Sequence, residues 1–336
     1  MSPLRRLLMP DEAESRGHSS IGLRVGLPVL VLVAGFVMAL LLTGLMSRVA
    51  RDRAIENIVE EQPAEAVPGN APGARALAGP PLRFAVAPVL SPESSLLRYQ
   101  RLADHVAAGM GRHGQLLLQS SYVQTNELLR EGRCDLALIC TYAFLRARNE
   151  FAVRALAVPR VKGKITYHSV IITSADSRAT SLLDLEGKRF VTADEMSTTG
   201  WLYPAVWLRE RARDPGSFFA SVRTTGSHDL AVKAVAFGDA DCAAVHSLVY
   251  EQMPQDVRQR TRVLSQSQEF GMPPVVVPPS ASATEVEHLR EEFLTLHESV
   301  AGREILASLD IERFVVPPPE LYRDVEELVR RFEETR

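Results

Sequence analysis

The sequence predicts an α/β protein of two lobes, with a cleft and a hinge between them, preceded by one membrane-spanning helix. Three observations predict it. From Leu82 onward, short apolar runs alternate with helical stretches, the pattern of βαβ units. The alternation comes as two series, and the chain then returns from the second to the first. Residues 25–47 form an uncharged run rich in Leu, Val, Ala and Gly.

At 1.5 Å per residue that run spans about 34 Å, enough for a bilayer core. Arg24 and Arg48 bracket it. A cleaved leader would have a shorter apolar region and a small-x-small site after it, which Ser47-Arg48-Val49-Ala50-Arg51 fits poorly. The expected organisation is a short cytoplasmic tail (1–24), a transmembrane anchor (25–47), a flexible linker (48–81) and a soluble domain (82–336). The linker is rich in Pro, Ala, Glu and Gly and offers no apolar face.

In the soluble domain the apolar runs Leu82–Pro88, Gln115–Ser120 and Asp135–Cys140 read as strands. Helices are expected over about Ser95–Met110, about Thr125–Glu131 and from Tyr142. Tyr167–Thr173 leads into the second series: Arg189–Ala193, a helix over about Thr199–Arg211, Ser221–Thr224, a helix over Asp229–Phe237, and Cys242–Val245. The return runs through Arg262–Leu264 and Val275–Val277 to helices over Thr284–Glu298, Arg303–Leu309 and Glu320–Phe332. Lobe one is expected at 82–170 plus 265–336, and lobe two at 171–264. Such alternation predicts parallel sheets.

Composition excludes some functions. The chain has 336 residues and a formal net charge of -3, which argues against nucleic acid as a partner, because phosphate backbones are held by clustered Lys and Arg. The three cysteines, Cys134, Cys140 and Cys242, form no CxxC. Six residues of strand separate the first two by about 20 Å, too far for a disulfide, so all three read as small buried hydrophobes. No Cys/His cluster has metal-ligand spacing, and no cofactor is expected.

The chemistry gathers at strand-to-helix junctions, where open sheets bind ligands and helix N-termini aim free N–H groups at anions. Ser197-Thr198-Thr199-Gly200 follows the run Arg189–Ala193 and opens a helix. A plain cap needs one hydroxyl; three in succession before Gly point to an oxyanion. Thr225-Gly226-Ser227-His228-Asp229 precedes the next helix and puts His228 at a second N-terminus, as an oxyanion donor or a solvated cap-region histidine. Tyr122 lies between the second strand and its helix, and Tyr167 opens a strand that crosses between lobes; either is a site or a core aromatic. Ser227-His228-Asp229 is no catalytic triad, whose members meet in space rather than in sequence.

Taken together these residues resemble the phosphonate/phosphite/phosphate-type periplasmic substrate-binding proteins of ABC importers, in the type II periplasmic-binding fold. The stretches that carry it are Tyr167-His168-Ser169-Val170-Ile171, Ser197-Thr198-Thr199-Gly200-Trp201-Leu202-Tyr203-Pro204, and Gly226-Ser227-His228 through Gly238-Asp239-Ala240-Asp241. The resemblance implies that Tyr122, Tyr167, Ser197, Thr198, Thr199 and His228 line a site for a small oxyanion. It implies an ABC permease as partner and a location outside the inner membrane, with no catalysis. The alternative is a tethered ligand-sensing subunit for a membrane kinase. Aminophosphonate-binding members are expected to carry acids that pair with the ligand amine; here that position falls near Leu248, in His246-Ser247-Leu248, with Glu251 one turn on.

Overall fold

The computed structural model describes residues 79–334. The expected tail and anchor, and all but the last residues of the expected linker, lie outside the described residues. Among the described residues no helix is long and apolar enough to cross a membrane.

The chain starts with β1 (Leu82–Val86), α1 (Pro92–Gly109), β2 (Gly114–Leu118), α2 (Tyr122–Arg130), β3 (Leu136–Leu138), α3 (Thr141–Phe151) and β4 (Arg154–Arg160). A short crossing strand, β5 (Thr166–Tyr167), leads into β6 (Ser169–Ser174), β7 (Arg189–Thr192), α4 (Tyr203–Arg209), β8 (Ser221–Thr224), α5 (His228–Ala236), β9 (Cys242–His246), α6 (Ser247–Gln252) and β10 (Thr261–Gln266). The return passes through β11 (Phe270–Gly271), β12 (Val275–Val277), α7 (Ala283–Thr295), α8 (Val300–Ser308), β13 (Arg313–Val315) and α9 (Arg323–Glu334).

Two sheets result. Lobe one is built on the order β13-β4-β12-β3-β1-β2 and lobe two on β10-β6-β9-β7-β8. The two crossing strands, β5 and β11, pair antiparallel as a ribbon between them. The sheets are mixed, where alternation alone predicts parallel ones. β1 runs parallel to β2 and β3, and β7 to β8 and β9, but β6 and β12 are antiparallel to their neighbours. The reason is topological. β6 and β12 each enter a sheet from the cleft, so each starts where its neighbour ends: Ser169 pairs with His246, and Val275 with Leu138.

Local sequence explains the helix starts. Pro92 opens α1, where its missing N–H costs nothing. Ser121, Ser282 and Ser299 each accept an N–H from the first turn of α2, α7 and α8. Lobe one closes its outer face with Phe84, Leu102, Leu289 and Phe314 around Phe293, and lobe two with Ile172, Val191, Val232 and Val245. Each such side chain contributes roughly 1.5–3 kcal/mol by leaving water. A third cluster runs through both lobes and takes in Tyr122, Tyr142, Tyr167, Leu202 and Phe270.

The C-terminal helix α9 straddles the lobes beside the ribbon. Its Phe332 carbonyl accepts from Arg209 Nη1 of lobe two (2.9 Å) and its Arg331 pairs with Glu210 (2.6 Å). On the other side its Glu326 pairs with Arg148 of lobe one (2.8 Å), and Tyr322 packs on Phe144.

Candidate ligand-binding site

The carboxyl ends of β7 and β9 meet the N-termini of α2 and α3 across the cleft. After β7, Ser197 opens a wide π-type turn over Thr198–Leu202: its carbonyl accepts from both Trp201 and Leu202 N–H (3.1 and 3.0 Å). Such turns recur at functional sites because the extra residue re-aims side chains. Gly200 is required here, since a Cβ would lie 2.6 Å from Thr192 Oγ1 and 3.0 Å from Ser197 Oγ. Gly226, at φ 82°, makes the reversal that brings Ser227 and His228 to the start of α5.

All six residues singled out in the sequence are buried at this junction; a hydrogen bond joins Ser197 to His228, and Thr198 is tied to the start of α3. Ser197 Oγ caps the turn by accepting the Gly200 N–H (2.9 Å) and lies 3.3 Å from His228 Nε2. The Thr198 hydroxyl accepts the Tyr142 N–H (2.9 Å) and lies 3.4 Å from Cys140 Sγ, so this cysteine does more than fill space. The Thr199 carbonyl accepts from Ser169 Oγ (2.7 Å). The Tyr122 hydroxyl faces Ser197, and the Tyr167 hydroxyl faces Thr198, Thr141 and Cys140, without reaching bonding geometry.

Three of these groups are orphans. Tyr122 OH, Tyr167 OH and Thr199 Oγ1 are buried with no hydrogen-bond partner in the protein. Leaving a buried polar group unpaired costs about 1–3 kcal/mol, so two phenols beside Ser197 and Thr198, with a third orphan on the next residue of the turn, are a costly arrangement for structure alone. Burial pushes both phenols well above their usual range, which keeps them protonated and able to donate. Burial also holds the Cys140 thiol protonated.

His228 Nδ1 accepts the His246 N–H (3.3 Å), which fixes the ring proton on Nε2, facing Ser197. Burial pushes the His228 imidazole down to about 4, so it is a neutral donor at pH 7. His246 escaped the sequence reading. It is buried and stacks on Tyr167 at 4.1 Å, its Nδ1 accepts from Leu248 N–H (3.2 Å), and burial holds its imidazole well below the usual range. The signal available was its place at the carboxyl end of a strand.

Asp194 also went unread. Its carboxylate accepts the Tyr122 N–H (3.0 Å) from lobe one and the Met196 N–H (2.7 Å) from its own loop, while burial raises it above the usual carboxylate range. At α1 the Asp229 Oδ1 accepts the Ser91 N–H (2.8 Å) and the Ser227 hydroxyl (2.7 Å). In return, the His228 N–H donates to the Val89 carbonyl (3.0 Å). Tyr122, Tyr142 and Ser91 all stand at lobe-one helix starts, whose N–H groups lack helical partners. Lobe two therefore caps three lobe-one helices across the cleft. Among the described residues no Lys or Arg hydrogen-bonds Tyr122, Tyr167, Ser197, Thr198, Thr199 or His228, so an anion at these groups would meet neutral dipoles. Among the described residues no cluster of three or more His, Cys, Asp or Glu could hold a metal ion. A larger open depression, by Thr173, Leu185, Val235 and Asp241, lies at the opposite end of the lobe-two sheet.

The fold has solved counterparts. The binding-protein component of an ABC phosphonate transporter from Pseudomonas aeruginosa superposes with a TM-score of 0.71 at 20% identity, covering 76% of this chain and 87% of that one. PhnD1 of Prochlorococcus marinus, in complex with methylphosphonate, gives a TM-score of 0.68 at 18% identity, covering 75% and 98%. A Xanthomonas citri protein solved with chloride gives 0.63 at 20% identity, covering 76% and 98%. These likenesses carry the two-lobed α/β periplasmic-binding fold. Residues 84–322 match the profile of the ABC transporter, phosphonate, periplasmic substrate-binding protein family, whose members are transport proteins rather than enzymes. The chain belongs to that family, and the matched residues form its extracytoplasmic substrate-binding domain.

Proposed function

We propose that the cleft holds the oxyanion head of a phosphate-like ligand, phosphonate, phosphite or phosphate, for delivery to an ABC permease. The three orphan hydroxyls carry this reading. Tyr122, Tyr167 and Thr199 donate to the head, joined by Ser197 and by His228 through Nε2; Thr198 sets the geometry by tying the turn to α3. Each charge-assisted bond is worth about 1.5–3 kcal/mol, and the fixed dipoles replace the anion's water. The two crossing strands act as the hinge between lobes at 82–170 plus 265–336 and 171–264. Residues 25–47 anchor the domain outside the membrane through the 48–81 linker. An alkaline-phosphatase fusion after Gly79 is then active, and an inactive one rejects the anchor's orientation.

The test of the site is calorimetry with methylphosphonate and phosphate on Tyr122→Phe, Tyr167→Phe and Thr199→Val. These substitutions keep shape and remove only the hydroxyls. The expected outcome is weaker binding by about 1.5–3 kcal/mol each, with unliganded stability equal or higher, because an unpaired buried group has been deleted. Unchanged affinity in all three rejects the reading.

A further inference from the structure

A cavity of about 90 Å³ adjoins the proposed head-group site. It is bounded by residues from both lobes, two of which touch residues of that site. His246 lines the cavity and stacks on Tyr167, and Val89 lines it while its carbonyl accepts the His228 N–H. None of the proposed head-group donors lines the cavity itself, so a tail would reach it past His246 and Val89.

The chemistry of the walls is uneven. Leu138, Leu248 and Met272 supply apolar surface, and no carboxylate borders the cavity. Its one ionic side chain is a cation, Arg98, whose Nη1 donates to Gln252 Oε1 (3.0 Å) and lies 4.0 Å from Asp310 Oδ2. Glu251, the nearest acid along α6, is exposed and tied to Lys162 at 2.6 Å. An ammonium group placed here would leave water, gain no acid and face a guanidinium.

We infer that this cavity takes a short, uncharged apolar tail on the same ligand and rejects an aminoalkyl tail. The inference rests on the oxyanion reading above. A space of about 90 Å³ is small, so the tail it takes is short and the ligand class is a short-chain alkylphosphonate. One methylene entering an apolar pocket is worth roughly 10–200-fold in discrimination.

The test titrates the full chain by calorimetry with phosphate, methylphosphonate, propylphosphonate and 2-aminoethylphosphonate. The last two differ mainly in exchanging a terminal methyl for an ammonium. Propylphosphonate is expected to bind at least about tenfold more tightly than methylphosphonate and than 2-aminoethylphosphonate. Leu248→Glu, at a half-buried position, is expected to narrow or reverse the propyl-over-aminoethyl preference, and Leu248→Gln to keep it. If methylphosphonate binds but propylphosphonate binds no better, or 2-aminoethylphosphonate binds best, the tail inference fails and the head-group reading stands. If none of the four binds, the head-group reading fails and takes the tail inference with it. The wild-type series decides the question even where a Leu248 variant does not fold.

Discussion

Lobe one meets the cleft with backbone N–H groups at three helix starts, whereas lobe two meets it with side-chain oxygens and imidazole. Ser91, Tyr122 and Tyr142 donate; Asp229, Asp194 and Thr198 accept. The difference shows how a sheet protein can join two bodies through polar contacts beside a shared apolar cluster. Helix starts carry obligatory donors that need acceptors wherever they face. One lobe thus exposes a fixed demand, and the other meets it with short, rigid side chains. The hydroxyls left over between them are the ones proposed to face the ligand.

The largest break in this complementarity is to remove both carboxylates. Asp194→Ala with Asp229→Ala should cost roughly 3–6 kcal/mol of closure, from two bonds to charged groups. Small-angle scattering should then show a larger radius of gyration, with ligand affinity reduced; Asn at both positions should restore part of each. A compact double mutant with normal affinity would show that the seam is incidental.

Acid sharpens the same contrast, since a protonated imidazole can no longer accept. The His228 pKa falls on folding from an ordinary value near 6.5 to about 4. Between those values the unfolded chain binds the extra proton, so stability is fully present above about 6.5 and is lost as pH falls toward 4. The slope is about 1.4 kcal/mol per pH unit for one such group, and His246, shifted in the same direction, adds to it. Asp194, raised by burial, works the other way just above the ordinary carboxylate range. Denaturant unfolding at pH 7, 6 and 5 should show the loss, and His228→Gln should flatten it.

A neutral acceptor is worth less than a charged one. Thr198→Val removes the hydroxyl that accepts the Tyr142 N–H and is expected to cost about 1–3 kcal/mol of stability, below the double carboxylate variant. Equality of the two, measured by chemical denaturation, would mean that charge at helix starts is irrelevant here. The smallest effect belongs to the rim: Glu251→Gln should leave alkylphosphonate affinity unchanged by calorimetry, since Glu251 is bound to Lys162 in solvent.

Much of this was legible in the sequence, and the rest was hidden for identifiable reasons. Ser197-Thr198-Thr199-Gly200 stood out because hydroxyls before glycine at a strand end are a local signal, and the elements β8 and β12 fall on their predicted residues. β4 was missed because Pro159 interrupts its apolar run; the proline is accommodated opposite Phe314 of the edge strand β13. β5 and β11 are two residues each, too short for any period to show. Asp194 and Asp229 could not be read at all as clasps. Their partners lie 72 and 138 residues away, and locally each looks like an ordinary loop or first-turn acid. His246 lay just past the predicted strand Cys242–Val245 and was read only as a neighbour of Leu248, because the stacking that places it comes from Tyr167, on the crossing strand.

The cross-lobe capping has a consequence for time as well as affinity. Separation of the lobes must break the three capping bonds and the His228–Val89 bond together. At about 1.4 kcal/mol per factor of ten in rate, even two such bonds slow opening by orders of magnitude. Departure then runs on the clock of the seam rather than on that of the head group. Alkylphosphonates that differ in affinity should leave with similar residence times in stopped-flow displacement, and Asp194→Ala should shorten all of them by the same factor.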